Sequence, residues 1–164
     1  MIKYFIESDE VLYINEDTVV VDRNIIEELK RLALLNPRQR IRLCTHKSID
    51  DNLHEMFIVH TKDCYVRPHK HLNKVESISI IEGEVDIVLF NDNGTILKII
   101  DMGDPSTEKL FYHRLSKSIY HMLIIKTEFL VFHEVTEGPF VRLDTIFPDW
   151  APEEFDSAFM KKIM

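Results

Sequence analysis

Four glycines serve the whole chain of 164 residues, so most of its turns have to be built from other residues. Asp, Asn, Ser and Pro are the remaining turn formers. Cysteine is nearly as scarce. Cys44 and Cys64 stand in no metal-binding or redox spacing, which leaves a disulfide framework without support and fits a reducing cytoplasm. No uninterrupted apolar run approaches the roughly 18–20 residues that span a bilayer. The opening stretch meets charge at Lys3, Glu7, Asp9 and Glu10, so it does not read as a signal peptide. Positive charge is the minority: 20 Lys and Arg stand against 28 Asp and Glu, for a net charge of -8 and a pI near 5.5. That balance excludes sequence-independent binding to nucleic acid, which requires a basic field over the phosphates. It also argues against docking on anionic membranes.

What the chain does have is core-forming material. Hydrophobic residues make up 45%, with ten Phe and five Tyr, enough for one domain around one core. Val11 to Val21 reads as a weakly alternating strand. Asp22 is placed to cap a helix in which Ile25, Ile26, Leu29, Leu32 and Ala33 fall at helical spacing. Pro37 stops that helix and biases Asn36 toward extended geometry. Short β-type runs then follow: Arg40 to His46, Met56 to His60, Ile78 to Ile81, Val85 to Phe90, Ile96 to Ile100, Leu110 to Leu115, Ile119 to Lys126 and Phe129 to Val135. Asn91 to Thr95 carries the Asn-Gly pair of a hairpin. Many short strands at regular spacing predict an all-β sandwich or barrel. The expected organisation is a strand and helix over residues 1–36, a barrel over 37–146 and a flap over 147–164. The flap holds a last short helix with Phe155, Phe159, Met160 and Ile163 on one face.

The histidines give the chemistry. His69 and His71 are two apart, so on a strand they project to one face. A turn through Leu72 to Val75 would bring Glu76 back beside them. Imidazoles with a carboxylate suit a divalent first-row ion, and the carboxylate offsets the ion's charge. His121 lies on a later strand and completes the expected set of metal ligands. Arg40, Arg42, Cys44 and His46 share a strand face, and either that face or Ile41 and Leu43 points into the barrel. If the arginines face in, their planar forks suit a carboxylate or phosphate. Tyr65 and Arg67 share the parity of His69 and are further candidates for contact with an anion. His54, His60 and His113 read as surface or structural residues. On the last strand, parity alone does not decide between His133 and Glu134.

The spacing resembles the first motif of the cupin superfamily, G-x5-H-x-H-x3-4-E-x6-G, at His69, His71, Glu76 and Gly83, with Asp63 in the place of the leading glycine. The second motif is eroded: Ser116, Ser118 and Ile125 stand where the family has Pro, Gly and Asn, and only His121 is kept. Asn36 to Arg40, Arg40 to His46, Tyr65 to His71, Glu137 to Phe140 and Asp149 to Glu154 further resemble the WbuC-type cupin metalloproteins of bacterial O-antigen gene clusters. That resemblance implies a double-stranded β-helix (jelly-roll barrel) with an N-terminal helix and a short C-terminal extension. It favours Glu134 as a base or as a partner of the metal ligands. It implies one divalent ion per chain, whether iron, manganese, zinc, nickel or cobalt, and a cytoplasmic protein of surface-polysaccharide metabolism. The expected activity is isomerase- or epimerase-like, on a sugar or nucleotide sugar; the alternative is a non-catalytic metal-bearing sugar-binding or sensor module. The expected partners are a small anionic or sugar-type ligand and, because two-fold pairing is the commonest assembly, a second copy in a homodimer.

Overall fold

The computed structural model describes residues 3–164. Two antiparallel strands, β1 (Tyr4–Ser8) and β2 (Val11–Ile14), precede the helix α1 (Arg23–Leu35). The Asp22 carboxylate accepts from the Ile25 amide at 3.0 Å, as the sequence predicts for an N-cap, and Asn36 ends the helix in extended geometry. The barrel strands are β3 (Arg40–Cys44), β4 (Leu53–Thr61), β5 (Lys70–His71), β6 (Glu76–Glu82), β7 (Glu84–Phe90), β8 (Ile96–Gly103), β9 (Tyr112–Leu115), β10 (Tyr120–Ile125) and β11 (Phe129–Glu137). A short strand β12 (Thr145–Ile146) and the helix α2 (Ser157–Ile163) close the chain. None of these helices is long and apolar enough to cross a membrane.

Seven strands form one sheet in the order β1-β2-β3-β4-β11-β6-β9, and β10-β7-β8 form a second sheet that faces it. Strand alternation sorts the larger sheet into two faces. Ile41, Leu43, Val59 and Val131 turn outward and are sealed by Ile26, Leu29 and Ala33 of α1. Cys44, Met56, Ile58, Ile78, Ile80, Leu130 and Phe132 turn inward, where Val85, Ile87, Leu89, Leu123 and Ile125 of the smaller sheet meet them. This is the all-β double-stranded β-helix (jelly-roll barrel) expected from the sequence, with the N-terminal helix packed on one outer face. Gly83 links β6 to β7 at φ +90, and a Cβ there would run into the Phe129 carbonyl, so the motif glycine is a steric requirement.

Three local readings change. The opening strand ends at Ile14, not Val21, because residues 15–22 cross to the start of α1 as an irregular segment. Strand β1 escapes sequence reading because it is an edge strand with Phe5 and Ile6 exposed, so its side chains carry no inside-outside alternation. Phe155 lies before α2 rather than on it, since Asp156 caps the helix by accepting from the Phe159 amide. Phe159, Met160 and Ile163 do pack, with Trp150, against Val88, Phe90, Tyr120 and Met122 on the outer face of the smaller sheet. Both cysteines are buried and free.

Candidate metal centre

His69, His71 and His121 converge at one place in the wall of the barrel, each offering a ring nitrogen within 4.8 Å of the others. Backbone pairing sets this up. The His69 amide donates to the His121 carbonyl at 3.0 Å and the His121 amide returns the bond at 2.8 Å, locking the two segments in register. His71 follows on β5, and a turn with Asn73 at φ 55 returns the chain to Glu76 at the start of β6.

The ring orientations are fixed as well. Nδ1 of His69 lies 2.8 Å from the Arg67 carbonyl and Nδ1 of His121 lies 3.0 Å from the Ile119 carbonyl, so in both rings Nδ1 carries the hydrogen and donates it. Nδ1 of His71 lies 3.2 Å from the Thr145 hydroxyl. Nε2 of His69 and of His121 therefore keeps its lone pair, and Nε2 of His71 does so in the tautomer whose Nδ1 donates to the Thr145 hydroxyl. Glu76 faces two of them, with Oε1 at 3.0 Å from Nε2 of His121 and Oε2 at 3.5 Å from Nε2 of His71. A lone pair and a carboxylate oxygen at that separation repel unless a proton or a cation lies between them. Protonation of the rings is disfavoured: burial pushes His69 down to about 3 and His71 and His121 down to about 4. Burial also pushes the Glu76 carboxyl above the usual range. Borderline nitrogen donors plus one carboxylate, held by backbone carbonyls behind them, fit a divalent first-row ion.

A cavity of about 310 Å³ adjoins this cluster through His71 and Thr145. Its walls settle several open readings. Arg42 lines it, so the Arg40, Arg42 and Cys44 face is the inward one and Ile41 and Leu43 face α1. Glu134 lines it too, whereas His133 points to the other side of the sheet and packs on Phe57. Glu134 has no hydrogen bond among the described residues; burial first, and then the charge of Glu76, push its carboxyl up to about 7, with Arg42 pulling the other way. His46 lines the cavity, stacked on His54 at 4.1 Å between ring centroids. A Cβ at Gly138 would collide with the Asp51 carbonyl and the His54 ring, so the Gly-Pro of the EGPF stretch is packed directly behind this pair.

Three of the sequence candidates are placed elsewhere. Arg40 is committed to Glu10, with Nε at 2.7 Å from Oε2, and does not reach the cavity. The Tyr65 hydroxyl donates to the Pro152 carbonyl at 2.9 Å, and Arg67 donates to the Ala151 carbonyl at 3.2 Å while stacking over Phe147. Both clamp the C-terminal segment rather than facing the cavity, because the chain between Cys64 and His69 runs beneath that segment. Conversely, Tyr13 and Lys74 line the cavity without having been singled out, and His54, read from the sequence as surface or structural, is buried and lines it too. His54 shared the inward parity of Met56 and Ile58, a signal available in the sequence; Lys74 sits in a turn, where parity says nothing. His60 is buried, the structural of the two readings its sequence position left open. A larger cleft of about 500 Å³ lies on the outer side of the sheet around Glu16, Asp17, Glu55 and His133, away from the three histidines.

No curated protein matches the chain. Among solved structures, protein SO0799 from Shewanella oneidensis is similar in fold, with a TM-score of 0.53 and 9% identity over 65% of this chain and 72% of that one. The capsular polysaccharide assembling protein CapF from Staphylococcus aureus is similar with a TM-score of 0.51 and 16% identity; 66% of this chain is covered but only 31% of CapF. At these identities the likenesses are of fold alone. In sequence, a model described as a domain of unknown function (DUF6016) matches residues 21–102, from the helix cap through both motif histidines to the end of the Asn-Gly hairpin. That is half of the 164 residues, and the chain belongs to the DUF6016 family.

Proposed function

We propose that this chain is a metal-dependent enzyme whose reaction centre is the cavity between His71 and Glu134. The observation that carries the reading is the convergence of the His69, His71 and His121 rings beside Glu76, with His71 lining a cavity that also holds Glu134, a carboxylate without a hydrogen bond among the described residues. His69, His71, His121 and Glu76 would hold one divalent ion. Such an ion, when bound, polarises a carbonyl or hydroxyl oxygen of the substrate. Glu134 supplies the proton transfer. A carboxyl whose pKa lies near neutrality takes a proton from carbon beside a carbonyl and returns it, which is the chemistry of isomerisation and epimerisation. The strands fix both groups, so the substrate is positioned between them without a moving part.

The choice of substrate rests on likeness. The motifs resemble the WbuC-type cupins of O-antigen clusters, and CapF, similar in fold, is described as a capsular polysaccharide assembling protein. We therefore assign the chain to surface-polysaccharide metabolism, acting on a sugar or nucleotide sugar as a cytoplasmic homodimer. Protein purified without a nickel column should contain about one metal equivalent and turn over a member of a sugar and nucleotide-sugar panel. Glu134→Gln should retain the metal and lose at least about 100-fold in turnover, together with the exchange of solvent deuterium into substrate. Sedimentation equilibrium checks the dimer. The eroded second motif favours a second reading, a metal-bearing binding module. That reading predicts calorimetric binding without product, and full turnover by Glu134→Gln would count against the enzyme.

A further inference from the structure

Arg40 and Arg42 differ in one respect that points to a ligand. Arg40 is neutralised by Glu10, which Arg38 also contacts at 3.0 Å. Arg42, two residues on and on the same strand face, makes no side-chain hydrogen bond and no ion pair among the described residues, although it lines a recess in the barrel. A guanidinium carries five donors and holds its charge at any working pH. Left unbonded in a concave site, it costs stability and has no structural partner to explain it.

Two more donors share the recess. Lys74 uses one hydrogen on the Pro139 carbonyl at 3.0 Å and rests over Phe140, leaving the others available. His46 Nδ1 accepts from the Glu55 amide at 3.2 Å, the Glu55 carbonyl already taking the Thr45 amide, so the ring hydrogen sits on Nε2, which has no hydrogen bond among the described residues. The size of the recess limits what these donors can hold. About 310 Å³ is at the lower end of the roughly 300–1,000 Å³ of small-molecule sites, room for one ring and its substituents.

We infer that the cavity binds a compact oxyanion, a single-ring carboxylate or phosphate monoester, with its acidic group on Arg42 and its far end toward His71. This rests on the proposed reading of the cavity as the substrate site, and narrows it: the recess has room for one ring, and the base and second ring of a nucleoside diphosphate sugar would stand outside it. Arg42 takes the acid group in two parallel hydrogen bonds, and Lys74 and His46 close over it.

Calorimetry with four probes tests the inference: glucuronate, glucose 1-phosphate, glucose and UDP-glucose, each titrated into protein of measured metal content, before and after chelation. Glucuronate or glucose 1-phosphate should bind saturably, and glucose and UDP-glucose at least 10-fold more weakly. Arg42→Ala should weaken the anion by about 10- to 100-fold, and Arg42→Lys should restore only part of the loss, because a point charge does not replace the fork. Circular dichroism and a melt confirm that each variant is folded, and Arg42→Gln, closer in volume, replaces Arg42→Ala if that variant is not. Anion binding that survives chelation and keeps its dependence on Arg42 upholds the site, and turnover that also survives chelation removes the metal-dependent reading. A metal-loaded protein that binds neither anion, binds UDP-glucose best, or is indifferent to Arg42→Ala overturns the inference and leaves the metal centre standing.

Discussion

The two ends of the barrel interior treat polar groups in opposite ways. At one end Arg40 is paired with Glu10, the Thr61 hydroxyl donates to Gln39 at 3.0 Å, and His60 sits edge-on against Phe132 at 5.4 Å. That end is closed and almost every charge in it has a partner. At the other end Arg42 and Glu134 have no hydrogen bond among the described residues, and the three histidines bring their ring nitrogens together. Both ends are built from the same strands by the same alternation. The difference is that the closed end is finished by the protein alone, while the open end is completed only by what it binds. Unpaired charges in a recess cost folding free energy, so the meeting of Arg42 and Glu134 at the open end, against a stranded nitrogen of the neutral His60 ring at the closed one, marks where stability yields to binding.

The strongest test of this contrast compares the two arginines in stability alone. Arg40→Ala leaves Glu10 with only the exposed Arg38 as a partner and should cost about 1 to 2 kcal/mol, less than a fully buried pair because both side chains keep some exposure. Arg42→Ala removes a charge with no partner and should stay within about 0.5 kcal/mol of the parent, or stabilise it. Urea unfolding of metal-free protein measures both. Equal losses at the two positions would erase the distinction between the ends.

Much of this frame is legible in the sequence, for reasons that differ by element. The helix over Arg23–Leu35 is written in a cap, a periodic apolar stripe and a terminating proline, all local signals. The barrel strands are written in β-branched alternation, and the cluster of His69, His71 and Glu76 in a spacing that strand and turn geometry convert into proximity. Placing Arg42 and Glu134 inward required knowing which face α1 covers, and that depends on tertiary packing rather than on parity. Tyr65 and Arg67 share the parity of the ligands but lie before β5, where the chain is irregular and parity no longer reports direction. Lys74 was silent for the same reason, since it occupies the turn between β5 and β6.

The closed end can be sharpened through His60. Its Nδ1 is buried without a partner, and burial holds its pKa down to about 3 against an ordinary 6.5. A folded-state pKa below the unfolded one means the unfolded chain binds the extra proton. Stability from the neutral ring is complete above about pH 6.5 and is lost as pH falls toward 3. His60→Leu removes both the stranded nitrogen and this linkage. Between pH 7.5 and pH 5 the parent should lose about 2 kcal/mol more than the variant, from about 1.4 kcal/mol for each unit below 6.5. Thermal or urea unfolding at the two pH values, in chelator, reads the difference; parallel losses would mean that the ring finds a proton acceptor on folding.

The smallest expected effect separates two ways of holding a ligand within the open end itself. His69 and His121 donate to backbone carbonyls of Arg67 and Ile119, which no substitution removes. His71 relies on a side chain, the Thr145 hydroxyl at 3.2 Å, carried by the β12 segment that pairs with β5. Thr145→Val keeps the shape and deletes the hydroxyl, freeing the His71 ring to rotate and to change tautomer. Metal affinity should fall by about 10-fold, the low end of the range for groups that orient a ligand, because one ring of three loosens while the others stay fixed. Competition with a chromogenic chelator measures that shift. An unchanged affinity would show that β5 backbone pairing alone sets the His71 ring, and would place all three rings under main-chain control.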